Sequence, residues 1–224
     1  MRLALPLALF GTAALVTALA PDAPAADGAP DAPVQAMSFF ITSAGPGDGA
    51  NLGGLAGADR HCATLAEAAG ITGKEWRAYL SAAARDGQPA VNARDRIGSG
   101  PWYNAKGELV ARDVAHLHSD DNALGKQGSL NEKGAVVNGR GDTPNQHDIL
   151  TGSNPDGTLA VDSTDTTCGN WTSNGTGSAM VGHHDKIGGG ARPNSWNSAH
   201  ASRGCSQRDL IGTGGNGLFY CFAR

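Results

Sequence analysis

An α+β domain, with an early amphipathic helix, short antiparallel strands and long loops, is the fold class this sequence predicts. Three observations lead there: one stretch with helical periodicity, several short apolar runs cut off by glycine, and four cysteines without metal-ligand spacing. With 33 glycines in 224 residues and only 5% aromatics, few large side chains fill the core, so a domain of this kind needs covalent ties.

The first element in chain order is expected to be removed. Arg2 precedes an apolar run from Leu3 to Ala20 that ends in the small-residue stretch Thr17-Ala18-Leu19-Ala20, and a second cleavage point follows Ala25-Ala26. Pro6 and Gly11 interrupt the run, which fits a signal peptide over residues 1–26 better than a membrane anchor. Residues 27–36 continue a Pro/Ala/Asp/Gly segment too poor in apolar surface to pack, a disordered leader. The remainder, 37–224, is read as a single domain, secreted or periplasmic, with no membrane span once the signal is gone. Cleavage removes Arg2 and Asp22 together, so the net charge stays at -4. No block of Lys or Arg occurs, which argues against nucleic-acid partners and anionic membrane surfaces.

Met37 to Ser43 is a short apolar run bounded by Gly45-Pro46-Gly47, a strand. From Leu55 to Ala69, Leu55, Ala58, Cys62, Leu65 and Ala69 recur three and four apart with Gly70 as a stop, which predicts a helix with Cys62 on its buried face. Trp76, Ala78 and Leu80 then alternate with polar neighbours as on a half-buried strand. Asn92 to Ile97 suits a single helical turn, with Asn92 as cap. Beyond Gly98 the chain is punctuated by Gly, Asn, Asp and Pro, and Leu109–Ala111 and Asp148–Thr151 are expected to pair as short strands. Leu218 to Ala223 is the clearest strand, following Gly214-Gly215-Asn216-Gly217.

Cys62, Cys168, Cys205 and Cys221 lack C-x-x-C spacing and read as two disulfides, and the spacing alone leaves all three connectivities open. The order of a cysteine on an early helix, two late cysteines with Ser195-Trp196-Asn197-Ser198 before the second of them, and a cysteine in the last strand resembles the C-type-lectin-like fold. It is most similar to the endostatin-type branch and to bacterial exported lectin-like proteins. The matching segments are Trp76–Ser81, Gly152–Gly157, Cys168–Trp171 and Phe219–Phe222, and the resemblance spans about residues 37 to 224. It implies a nested pairing, Cys62 to Cys221 and Cys168 to Cys205.

Sugar-binding members of that fold hold calcium with a Glu-Pro-Asn or Gln-Pro-Asp tripeptide, its proline cis, and a later Trp-Asn-Asp. The corresponding positions are Asn154-Pro155-Asp156 and Trp196-Asn197-Ser198. Asn154 stands for an acid and Ser198 for an aspartate, so Asp156 and Asn197 remain as oxygen ligands while two carboxylates are lost. Calcium is the cofactor the resemblance implies. Asn154, Asp156, Trp196, Asn197 and His183 are the expected ligand contacts, because amide, carboxylate, indole and imidazole groups hydrogen-bond or stack on a sugar.

His116-Leu117-His118 with Asp120 and Asp121, and His183-His184-Asp185, are the histidine groupings that invite a transition metal. Spacing of two places His116 and His118 on one face of a strand. The endostatin branch binds zinc through N-terminal histidines, which are missing here. No Gly-x-Ser-x-Gly elbow occurs, Arg140-Gly141-Asp142 is a short chance match to an integrin-binding signal, and Asn170-Trp171-Thr172 and Asn174-Gly175-Thr176 are glycosylation acceptors only in a eukaryotic route. The function expected is therefore an exported binding module and not an enzyme, recognising a carbohydrate or an extracellular protein through its loops. A metal-dependent enzyme built on His116 and His118, and a structural or adhesion scaffold, are the alternatives.

Overall fold

The computed structural model describes residues 36–161 and 164–224. The signal segment 1–26 and, apart from the exposed Ala36, the leader lie outside the described residues. The described chain forms an α+β arrangement built on its C-terminal strand. In chain order the elements are β1 (Phe39–Ile41), α1 (Gly54–Ala68), β2 (Trp76–Ala78), a 3-10 turn (Ala93–Asp95), β3 (Trp102–Tyr103), β4 (Leu109–Ala111) and α2 (Val114–Leu117). They continue with β5 (Asp148–Leu150), α3 (Cys168–Trp171), β6 (Met180–His183), β7 (His200–Ala201), α4 (Gln207–Thr213) and β8 (Gly215–Ala223).

The main sheet runs β1-β8-β5-β6-β7, with β2 also paired to β8. β8 is antiparallel to β1 (Phe40 opposite Cys221) and to β2 (Ala78 opposite Cys221), and parallel to β5 (Leu150 opposite Phe219). Successive side chains of a strand point to opposite faces, and here both faces are covered, so β8 reads as one apolar run. Phe219 and Cys221 join Phe40, Ala78 and the α1 residues Ala58, Cys62 and Ala66 in one core. Leu218, Tyr220 and Phe222 join Phe39, Ile41, Trp102 and Trp196 in the other. This two-sided core lets a chain poor in aromatics use them centrally: Phe39, Phe40, Phe219, Phe222, Trp102 and Trp171 are fully buried.

Helix α1 forms where the periodicity places it and lies with Ala58, Cys62 and Ala66 inward. Asp59, on its flank, accepts from the Arg96 guanidinium at 2.7 and 2.8 Å, from Arg77 at 2.8 Å and from the Ala78 amide at 2.9 Å, which clamps α1 to β2 and the 3-10 turn. Two disulfides fasten the rest. Cys62 bonds Cys221, tying α1 to β8, and Cys168 bonds Cys205, closing the late loop region.

Two expectations need correction. β4 and β5 do not pair: β4 makes a hairpin with β3, while β5 is taken up by β6 and β8 inside the main sheet. Both are three-residue strands whose partners are set by the apolar face each must bury, which short runs do not encode. The Asn92 side chain does not cap the turn through the backbone. Its amide donates to Asp95 at 2.8 Å and its oxygen accepts from the Leu159 amide at 3.0 Å, so it stitches two loops together. Among the described residues no helix is long and apolar enough to cross a membrane.

Candidate metal centre

The residues matching the lectin calcium site do lie together, but as packing. Asn197 is 1% exposed, and its amide donates to the Tyr79 hydroxyl (2.9 Å) and to the carbonyls of Asn154 (3.1 Å) and Pro155 (3.2 Å). The Asn154 amide is spent on Thr158 and Leu159, and the Asp156 carboxylate accepts from the Thr158 amide and hydroxyl. The Asn154–Pro155 bond is not among the cis peptides, which are Gly100–Pro101 and Thr143–Pro144. Trp196, at 5% exposure, packs against Tyr79 and Tyr220. Calcium wants six to eight converging oxygens. Here the Asn197 and Asn154 amides are spent on neighbours, and Asp156 is the one carboxylate among the matched positions, fewer charged oxygens than the ion wants.

The strand placement of His116 and His118 is corrected. The two residues are not on a strand: His116 lies in the single turn α2 and His118 caps it. His116 Nδ1 accepts from the Arg112 amide while Nε2 donates to the Asp121 carbonyl. His118 Nδ1 donates to the Val114 carbonyl and Nε2 accepts from Tyr79 Oη, each at 2.7 Å. Neither ring has a nitrogen left for an ion. A cavity of about 520 Å³ opens beside His118, Pro155, Lys186, Arg192 and Trp196.

His183 belongs elsewhere. The register of β5 and β6 sets Asp148 directly opposite His183, and that of β6 and β7 sets His200 opposite Val181, two residues along the same face as His183. Directly opposed and diagonal residues of neighbouring strands are within side-chain reach. His147, just before β5, stacks on His183 with ring centroids 4.4 Å apart and planes 6° apart. The result is a cluster of three imidazoles around one carboxylate. His147 Nε2 and His183 Nε2 each lie 3.3 Å from Asp148 Oδ1, His200 Nε2 lies 3.6 Å from it, and the Nε2 atoms of His183 and His200 are 3.0 Å apart.

Backbone carbonyls fix which nitrogen of each ring carries the proton. His183 Nδ1 faces the Pro193 carbonyl at 2.7 Å, His147 Nδ1 the Ile187 carbonyl at 3.1 Å and His200 Nδ1 the Ala201 carbonyl at 3.1 Å. A carbonyl only accepts, so each Nδ1 donates and each neutral ring turns an Nε2 lone pair inward. Those lone pairs converge on Asp148, which is 2% exposed and whose two oxygens accept no hydrogen bond while the rings are neutral. Asp185 supports the ring of His147 from behind, 3.4 Å from Nδ1, and accepts from the backbone amides of Arg140 (2.6 Å) and Ile187 (3.2 Å). Burial would raise the Asp185 carboxyl, but these donors overcome it and hold the group well below the usual carboxylate range.

Lone pairs facing lone pairs and an unpartnered buried carboxylate repel unless a cation lies among them. The protein shows the same preference toward a proton. Burial disfavours a charged His183, yet Asp148 and the Pro193 carbonyl outweigh it and the ring titrates above its ordinary value. The donor spacing suits a metal. Around an ion with bonds of about 2.0–2.1 Å, adjacent donors lie about 2.9 to 3.4 Å apart, close to the 3.3 Å His147–Asp148 and His183–Asp148 edges; the ligand atoms of these three residues all lie within 4.8 Å of one another, and His200 stands beside them, 3.0 Å from His183 and 3.6 Å from Asp148. Two glycines make room. A Cβ on Gly214 would stand 3.1 Å from Asp148 Oδ2, and one on Gly188 would strike His183 Cε1 at 2.0 Å.

His147, Asp148 and His183 are buried, whereas the His200 side chain is 29% exposed. It borders a cavity of about 440 Å³ whose wall also includes Arg140, Asn145, Arg203 and Thr213. An ion in the cluster would have a closed side made by strands and an open side toward this cavity. No protein-family model matches the chain, and no curated protein matches it either.

Proposed function

We propose that this chain is a lectin-like binding module that works through a divalent transition-metal ion held by His147, Asp148, His183 and His200. The observation that carries the reading is the set of three inward Nε2 lone pairs around a buried, unpartnered carboxylate. Three imidazole nitrogens and one oxygen suit zinc and its first-row neighbours, and exclude calcium as the preferred guest. The carbonyls of Ile187, Pro193 and Ala201, and Asp185 behind His147, are the outer supports that orient histidine ligands.

The C-type-lectin-like assignment is supported by the nested disulfides and by the last strand lying at the centre of the sheet. An oxidising location, secreted or periplasmic, suits both bridges. Recognition of a carbohydrate or extracellular protein then falls to the loops around the ion, residues 184–203, and not to Asn154 and Asp156. A titration of chelator-stripped protein with Zn²⁺ tests this. One ion per chain is expected, with affinity at least ten-fold weaker in Asp148→Asn and His183→Ala. Uptake of no ion, or uptake undiminished in both variants, would contradict it. A protein-binding scaffold, by contrast, predicts a partner interaction indifferent to removal of the metal.

A further inference from the structure

The cavity beside the cluster is bordered by two exposed arginines. Arg140 and Arg203 both border it, and among the described residues neither side chain enters an ion pair or a hydrogen bond. Their backbones, in contrast, are fixed to the site. The Arg140 amide donates to Asp185, the carboxylate behind His147, and the Arg203 amide donates to Thr213 Oγ1 at the end of α4, one residue before the Gly214 that flanks Asp148. Both arginines are thus held at the mouth of the metal cavity with their charged ends unspent.

Resting on the metal reading, we infer that the ligand of this site is an oxyanion, one oxygen completing the coordination of the ion and the others gripped by Arg140 and Arg203. A divalent ion is only partly offset by the single carboxylate of Asp148, and Asp185 is already committed to amides and His147. With two guanidiniums added, the cavity is locally cationic in a chain whose net charge is -4. Guanidinium forks match the planar oxygen pairs of carboxylates and the oxygens of phosphate, so charge and geometry select the same ligand class. Gly189 and Gly190 also line the cavity, bringing backbone and no side chain to its wall. A carboxylate can arrive free or on an acidic sugar.

The test uses full-length mature protein loaded with Co²⁺, whose visible spectrum reports changes in coordination. Acetate, inorganic phosphate and glucuronate are titrated in turn, with glucose as the neutral control. The expected result is a saturable spectral change with the oxyanions and none with glucose, weakened at least ten-fold in Arg140→Gln/Arg203→Gln while Co²⁺ stoichiometry stays that of the parent. Tighter binding of glucuronate than acetate would assign the sugar-borne source, and equal binding the free anion. Cobalt bound with no response to any oxyanion, or a double variant that responds like the parent, overturns this inference and leaves the metal centre standing. Failure to bind cobalt overturns the metal centre itself.

Discussion

Asp148 is the residue on which the proposed metal reading turns. A buried carboxylate whose oxygens find no donor costs more than a neutral group in the same place, commonly about 1 to 3 kcal/mol for an unsatisfied polar atom and more when charged. At a pH where His183 is neutral, Asp148→Asn is therefore expected to stabilise the metal-free protein by about 1 kcal/mol and to make it less stable than the parent in Zn²⁺, since an ion at one hundred times its Kd adds about 2.7 kcal/mol. Thermal unfolding with chelator and with Zn²⁺ checks the reversal, and a variant less stable in both conditions would count against it. His118 supplies a pH prediction. Burial holds its imidazole below the ordinary value, with the Val114 carbonyl and Asp156 opposing and Arg94 assisting. The folded state thus binds fewer protons than the unfolded state, so this contribution is intact above the ordinary imidazole value of 6.5 and falls away as pH drops below it. In chelator, urea midpoints between pH 7.5 and 5.5 are expected to fall less steeply in His118→Asn than in the parent. At this scale the sequence was partly legible. His183 stood out beside His184 and Asp185, but His147 and Asp148 looked like the edge of an ordinary strand. The four proposed ligands come from three strands and a loop, and only tertiary register brings them together.

Among the elements, α1 was legible because its signal is local: apolar residues three and four apart, with a glycine stop. β8 was legible as an apolar run. The pairing of β4 and β5 was not, because three-residue strands take their partners from whichever core face they must cover. His116 and His118 were misplaced for a related reason, since Asp113 accepts from the His116 amide and nucleates a turn that no strand pattern reveals. The clamp between α1, β2 and the 3-10 turn gives a test at this level. Asp59 and Arg96 have side chains 12% and 11% exposed, and burial lowers the Arg96 pKa, an effect opposed by Asp59. Removing one member of such a pair leaves the other uncompensated, so Asp59→Ala is expected to cost about 3 kcal/mol in urea unfolding. A loss below about 1 kcal/mol would show that the clamp contributes little.

Across the whole molecule, the nested disulfides span 159 and 37 residues. Chain-entropy arguments assign them stabilisation of roughly 5 and 4 kcal/mol before any strain is considered. The Cys62→Ser/Cys221→Ser variant is therefore expected to melt well below Cys168→Ser/Cys205→Ser, and the reverse order would contradict the larger stabilisation assigned to the longer bridge. The resemblance gave the pairing, while Trp196 and Asn197, which it names as ligand contacts, are buried in the core, and the proposed metal site lies instead at the far end of β5, β6 and β7. Crystals grown with Zn²⁺ and measured at the zinc absorption edge address the metal centre most directly. One strong anomalous peak is predicted about 2.0–2.1 Å from the Nε2 atoms of His147, His183 and His200 and from an Asp148 oxygen. No peak there, or a peak only beside Asp156 and Asn197, would contradict it.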